Sequence, residues 1–148
     1  MKLVVQRVLN AQVDVDGKTV GKINKGFMVL CGITHEDTEK EADVLARKLC
    51  NLRVFEDENE KMNLSLKDVN GELLIISQFT LYADTKKGNR PSYVNAMKSD
   101  AAKEMYDIFN ERLVSNGINV QTGIFGADMD VHIRNDGPVT IIIDSKVR

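Results

Sequence analysis

Two hydroxyls, an amide and an aromatic ring arrive together at Ser77, Gln78, Phe79 and Thr80, where an apolar run at residues 73–76 ends. A strand that fixes the backbone and a loop that frees the side chains make such a point a common location for a site. The same residue types also have a plainer use, because Ser and Thr at strand ends satisfy backbone groups. Nucleophilic catalysis by either hydroxyl needs a base that a third group orients. The sequence places none nearby. There is no Gly-x-Ser-x-Gly elbow, His35 falls in a charged loop before the first helix, and His132 alternates with charged neighbours on a solvent-facing strand. Both histidines read as surface residues, and Cys31 and Cys50, set in apolar segments, read as inert core thiols. Widely separated histidines and cysteines lack zinc-ligand spacing, so neither a metal nor another cofactor is expected.

Three other segments carry some chemical promise. Gly126-Ala127 permits close backbone approach to a ligand, or equally a bulge. Gly137-Pro138 is either an ordinary turn or a cis peptide. Lys86, Lys87 and Arg90 form a basic loop suited to phosphate, although charged loops are common on any surface.

The elements that must position these residues follow from periodicity. Residues 3–9 are rich in Val and Leu, and Ala11, Val13 and Val15 then alternate with polar neighbours as in a half-buried strand. Asp16-Gly17 marks a turn, residues 20–23 a return strand, and residues 27–33 a central strand. Thr38 with Glu41 forms a capping box ahead of Ala42, Leu45, Ala46 and Leu49, which predicts a helix. Residues 53–55 read as a strand and residues 56–63 as a solvated connection. A second helix is capped by Asp100, carries Ala101, Met105, Ile108, Phe109 and Leu113 as its apolar stripe, and ends at Asn116-Gly117. Strands are then expected at 118–124, 129–133 and 139–143, the last two separated by a corner at 135–138. Hairpin-like connections dominate, which predicts an α+β fold of mostly antiparallel β-sheet layers with two helices packed on one face, a layered β/β/α arrangement.

The 148 residues suit one domain over 1–148, and 43% hydrophobic with 28% charged residues suits a globular core. Twenty Lys plus Arg against 22 Asp plus Glu leave a net charge of -2, which argues against a protein that coats long nucleic acid but leaves room for a small or terminal target. No apolar stretch reaches membrane-spanning length, and the chain opens on a strand-like run instead of a leader peptide, so a cytosolic, membrane-free protein is expected.

Taken together, Val5-Gln6-Arg7-Val8, Ser77-Gln78-Phe79-Thr80-Leu81, Gly88-Asn89-Arg90-Pro91-Ser92, Gly126-Ala127-Asp128-Met129 and Asn135-Asp136-Gly137-Pro138-Val139-Thr140 resemble the D-aminoacyl-tRNA deacylase family, in order and over essentially the whole chain. Tyr93 and Lys2 are mild departures, where that family often has Phe and Arg. The resemblance implies a cytoplasmic homodimer that hydrolyses the ester joining a D-amino acid, or mischarged glycine, to the 3' end of tRNA, with no DNA partner. It implies that Ser77, Gln78, Phe79 and Thr80 hold the ester and that main-chain groups and the ribose 2'-hydroxyl assist. It further implies that Gly137 and Pro138 enter from the partner subunit to reject L-amino acids, and that Phe125, Gly126, Ala127 and Met129 receive the adenosine. Lys86, Lys87 and Arg90 are candidates for the tRNA backbone. Two rival readings are a Ser- or Thr-dependent hydrolase of small esters and a non-enzymatic RNA-binding scaffold.

Overall fold

The computed structural model describes residues 1–147. Strand β1 (Lys2–Val15) is its spine, with Leu3, Val5, Val8, Ala11 and Val13 buried. One edge of β1 pairs antiparallel with β8 (Asp130–Asp144), and the other is shared between β3 (Gly26–Gly32) and β2 (Lys18–Ile23). Asp16 and Gly17 turn the chain between β1 and β2 at φ 51° and 76°, the left-handed geometry of a tight hairpin. Beyond β3 the sheet continues in parallel through β6 (Glu72–Ser77) to β7 (Asn119–Thr122). Parallel neighbours need crossovers, and the two helices supply them.

Antiparallel pairing prevails around β1, as expected, but the half of the sheet that carries residues 77–80 is parallel. The sheet curls until β2 meets β7, where a Cβ on Gly21 would stand 2.8 Å from Thr122 O. Only glycine allows that approach, which almost closes the sheet into a barrel. Val8, Ala11, Val13, Ile23, Met28, Leu74 and Ile76 pack inside the curl.

Both helices cover the outer face, over Leu3, Val5, Phe27, Val29, Leu73 and Ile75. Helix α1 (Glu39–Asn51) starts at the expected box, with Glu41 accepting the Thr38 N–H at 2.8 Å, and buries Ala42, Leu45, Ala46 and Leu49. Helix α2 (Ser99–Ser115) departs from expectation at its start. Lys98 occupies the cap position and Asp100 lies within the first turn without a capping bond. The phase moves with it: Ala102, Tyr106, Phe109 and Leu113 are buried, whereas Ala101 is exposed. Tyr106 earns its inward place by donating its hydroxyl to Ile75 O at 2.8 Å. Across the helix pair Arg112 reaches Asp43 at 2.5 Å and Glu39 at 2.9 Å.

Three further boundaries differ. The connection at 56–63 folds into a small hairpin of β4 (Phe55–Glu56) and β5 (Met62–Leu64), with Asp57 accepting the N–H groups of Asn59 and Lys61. Strand β7 is shorter than the run at 118–124. Strand β8 runs through 135–138 in place of breaking there: Gln6 pairs with Thr140 and Val8 with Asn135, so residues 136–139 bulge opposite Arg7. The amino group of Met1, itself buried, is paired with Asp37 and donates to Ser145 Oγ at 2.8 Å, tying the start of β1 to the end of β8.

Candidate active site

Strand β6 ends at Ser77 beside Cys31 of β3, and the ladder extends one bond further, from Gln78 N–H to Cys31 O at 2.8 Å. The chain then winds into a single 3-10 turn over Phe79–Tyr82. The first bond of that turn runs from Leu81 N–H to Gln78 O, so the N–H groups of Phe79 and Thr80 stand ahead of its ladder. Gln78 donates its side-chain amide to Thr80 Oγ1 at 2.6 Å. That hydroxyl therefore faces an amide donor, which cannot take its proton.

The loop after β7 closes over the same place. Gly126 at φ 80° and the bond from Ala127 N–H to Ile124 O at 3.2 Å fold it tightly, and Phe125 packs on Tyr106 with ring centres 5.6 Å apart. Between this loop, the end of β6 and the segment leading into α2 lies a cavity of about 710 Å³. Ser77, Gln78, Phe79, Phe125, Gly126, Ala127 and Met129 all line it. The two segments singled out in sequence, almost fifty residues apart by their numbers, thus share one wall. Thr80 follows on the turn outside this lining, Gly137 and Pro138 lie on β8, and Lys86, Lys87 and Arg90 lie on an exposed loop.

The cavity is poor in titratable chemistry. Among the described residues that line it, the ionisable side chains are Cys31, Tyr93, Lys98 and Asp128. Burial pushes the Cys31 thiol up to about 12, far from nucleophilic use at neutral pH. Both histidines lie elsewhere. His35 Nε2 contacts Val94 O at 2.7 Å, and His132 Nε2 lies 3.2 Å from Asp14 and 3.4 Å from Asp130 on the exposed far end of β1 and β8.

Gly137-Pro138 is a cis peptide within the β8 bulge. Gly137 has φ 124°, and a Cβ there would come within 3.0 Å of the Val139 backbone nitrogen. Arg7 braces this bulge from β1: Nε donates to Asp136 O at 3.2 Å and pairs with the Asp136 carboxylate at 3.4 Å, while Nη1 donates to Val54 O at 2.7 Å. Arg7 is 5% exposed. Sequence reasoning quoted Arg7 only within a motif, although a lone charge inside the mostly apolar run at residues 3–9 was a usable signal. It also missed Cys31, Ala96, Met97, Lys98 and Ser99 as walls of the cavity, which no local pattern announces.

Residues 4–144 match the family model described as D-Tyr-tRNA(Tyr) deacylase. The chain belongs to this family of hydrolases. Proteins named D-aminoacyl-tRNA deacylase from Fusobacterium nucleatum subsp. nucleatum and Bacillus velezensis are 62% and 58% identical to it over 146 residues, which is 99% of this chain and 97% and 99% of theirs. Among solved structures, the c-Myc DNA Unwinding Element Binding Protein superposes with a TM-score of 0.91 at 46% identity, covering 97% of this chain and 98% of that one. A probable eukaryotic D-amino acid tRNA deacylase shares the fold at a TM-score of 0.82 and 17% identity, covering 96% of this chain and 97% of its own. For a deacylase, the scarcity of acid–base side chains in the cavity becomes a mechanistic constraint.

Proposed function

We propose that this deacylase hydrolyses the ester between a D-amino acid, or misplaced glycine, and the terminal adenosine of tRNA, as a chirality check in the cytoplasm. The observation that carries this reading is the cavity that joins residues 77–79 to Phe125, Gly126, Ala127 and Met129, with no histidine among the described residues that line it. An ester is already an activated electrophile, so water can add to its carbonyl if the developing oxyanion is stabilised. The N–H groups of Phe79 and Thr80 are suited to that task, and a preorganised donor of this kind contributes several kcal/mol. The C–O bond to the ribose then breaks, the ribose oxygen takes the proton, and the neighbouring 2'-hydroxyl relays it. The Phe125 loop receives the adenine against an aromatic ring.

Gly137 and Pro138 are exposed and outside the cavity of their own chain, on a 15-residue strand whose outer edge is unpaired among the described residues. An open edge of that length, with Ile142 67% exposed, invites a second copy. In the resulting two-fold dimer each chain presents its Gly137-Pro138 carbonyls to the other's cavity, where they hold the amino group and leave no room for an L side chain. Lys86, Lys87 and Arg90 face the acceptor backbone. Deacylation time courses on matched D- and L-tyrosyl-tRNA, with an aryl ester as control, test the reading: hydrolysis of the D ester alone supports it. Cleavage of the aryl ester would favour a general esterase, and no turnover a binding scaffold.

A further inference from the structure

At the mouth of the cavity Phe79 and Tyr93 stand edge to face, with ring centres 5.0 Å apart and planes at 73°, and remain 56% and 41% exposed. Exposed aromatic pairs are wasteful unless something covers them, and this one is held in place. Tyr93 O accepts from Ala96 N–H at 3.1 Å, while the next two residues are tied to the segment before α1. Val94 O meets His35 Nε2 at 2.7 Å, and Asn95 O accepts the Thr34 hydroxyl at 2.6 Å. Immediately before Tyr93, paired bonds between Asp84 and Ser92 at 2.8 and 2.9 Å close a loop that carries Lys86, Lys87 and Arg90. These three cations are exposed and make no ion pair among the described residues.

Rigid exposed rings flanked by unpaired cations are the combination that binds single-stranded nucleic acid, rings for the bases and cations for the phosphates. We infer that Tyr93 and Phe79 form a stacking platform for the base 5' to the terminal adenosine, so that the enzyme grips at least two nucleotides of single strand. The inference rests on the deacylase reading and extends it from the ester to the polynucleotide. The rim is continuous with the cavity through Phe79, which lines both, so a strand whose last nucleotide fills the cavity passes over these rings as it leaves.

The test compares D-tyrosyl esters of adenosine and of a dinucleotide with one further base on the 5' side, as substrates of the wild-type dimer, Tyr93→Ala and Tyr93→Phe. Stacking predicts that Tyr93→Ala raises KM about 10- to 100-fold for the dinucleotide ester with kcat unchanged. Because Tyr93 also lines the cavity, a much smaller change is expected on the adenosine ester, with near-normal behaviour of Tyr93→Phe on both. A wild-type urea unfolding midpoint shows that the variant is folded. Equal losses on both esters would place Tyr93 against the amino acid or in the pocket's framework and overturn the platform, as would unchanged kinetics on both. Wild-type failure to cleave either ester defeats the deacylase reading instead. In that event titration of the uncharged dinucleotide against adenosine decides the platform, which requires tighter dinucleotide binding that Tyr93→Ala abolishes.

Discussion

Thr80 is the residue at which the sequence invites a familiar mechanism and the structure withholds its parts. Its hydroxyl accepts a 2.6 Å hydrogen bond from the Gln78 amide and, among the described residues, hydrogen-bonds to no imidazole or carboxylate. Loss of that hydroxyl should therefore disturb positioning while the proposed oxyanion donors, the N–H groups of Phe79 and residue 80, persist. Thr80→Ala is expected to slow single-turnover deacylation about 10- to 100-fold, and a trapped aminoacyl ester on Thr80 would contradict this. The thiols make a second residue-scale prediction. Burial raises Cys31 from 9.0 to about 12 and Cys50 from 9.0 to about 11. The unfolded chain thus loses these protons first as the pH climbs above about 9, which draws the equilibrium toward unfolding. The stability gap between wild type and Cys31→Ala, measured by urea unfolding, is expected to narrow by on the order of 1–2 kcal/mol by about pH 10.5. A gap that stays constant would show that the thiol ionises equally well in the folded state.

Strand β8 shows how one element depends on a side chain of another. Its bulge at residues 136–139 faces Arg7, whose guanidinium satisfies Asp136 O and Val54 O in a buried setting. Arg7→Met keeps an unbranched apolar stem but removes the guanidinium and leaves both carbonyls without their donor. Buried acceptors stripped of a partner cost about 1–3 kcal/mol each, and Asp136 O, only partly buried, lies at the low end, so a loss of about 2–4 kcal/mol is expected from the shift in urea midpoint. Deacylation of D-tyrosyl-tRNA by Arg7→Met should fall further than its folded fraction, because the bulge carries Gly137 and Pro138. Activity tracking the folded fraction would restrict Arg7 to a structural duty.

For the whole molecule, the decisive arrangement is that Gly137 and Pro138 lie outside the cavity of their own chain. The cavity is lined from the ends of β3 and β6, the loop after β7 and Val131 at the start of β8, whereas Gly137 and Pro138, further along β8, are not among its lining residues. A shared site predicts complementation. A chain altered at residues 77–80, mixed with a chain altered at Gly137 and Pro138 and allowed to exchange subunits, should recover one working site per mixed dimer. No recovery at any ratio would mean that each chain builds its site alone.

Much of this protein was legible from local pattern. The capping box at Thr38 and Glu41, the alternation at 11–15 and the apolar runs at 27–33 and 73–76 all appear as read, because a helix start or a buried strand is encoded by neighbours in sequence. Residues 77–80 stand out by pattern and 125–129 through the family resemblance; of these, 77–79 and 125–129 line one cavity and Thr80 does not. Local pattern failed where a distant partner decided the outcome. Asp100 has the right chemistry for a cap, yet the register in which Tyr106 reaches Ile75 O and Phe109 fills the core moves the helix start to Ser99. Residues 135–138 look like a corner, but β1 supplies a continuous edge and Arg7 supplies donors, so β8 bulges and carries on. That residues 77–79 and 125–129 share a wall, with Cys31 behind them and Tyr93 at the rim, follows from parallel pairing of β3, β6 and β7. Chain composition determines which segments are buried, whereas the wall of a cavity is determined by which buried segments become neighbours, and only packing of the whole sheet sets that.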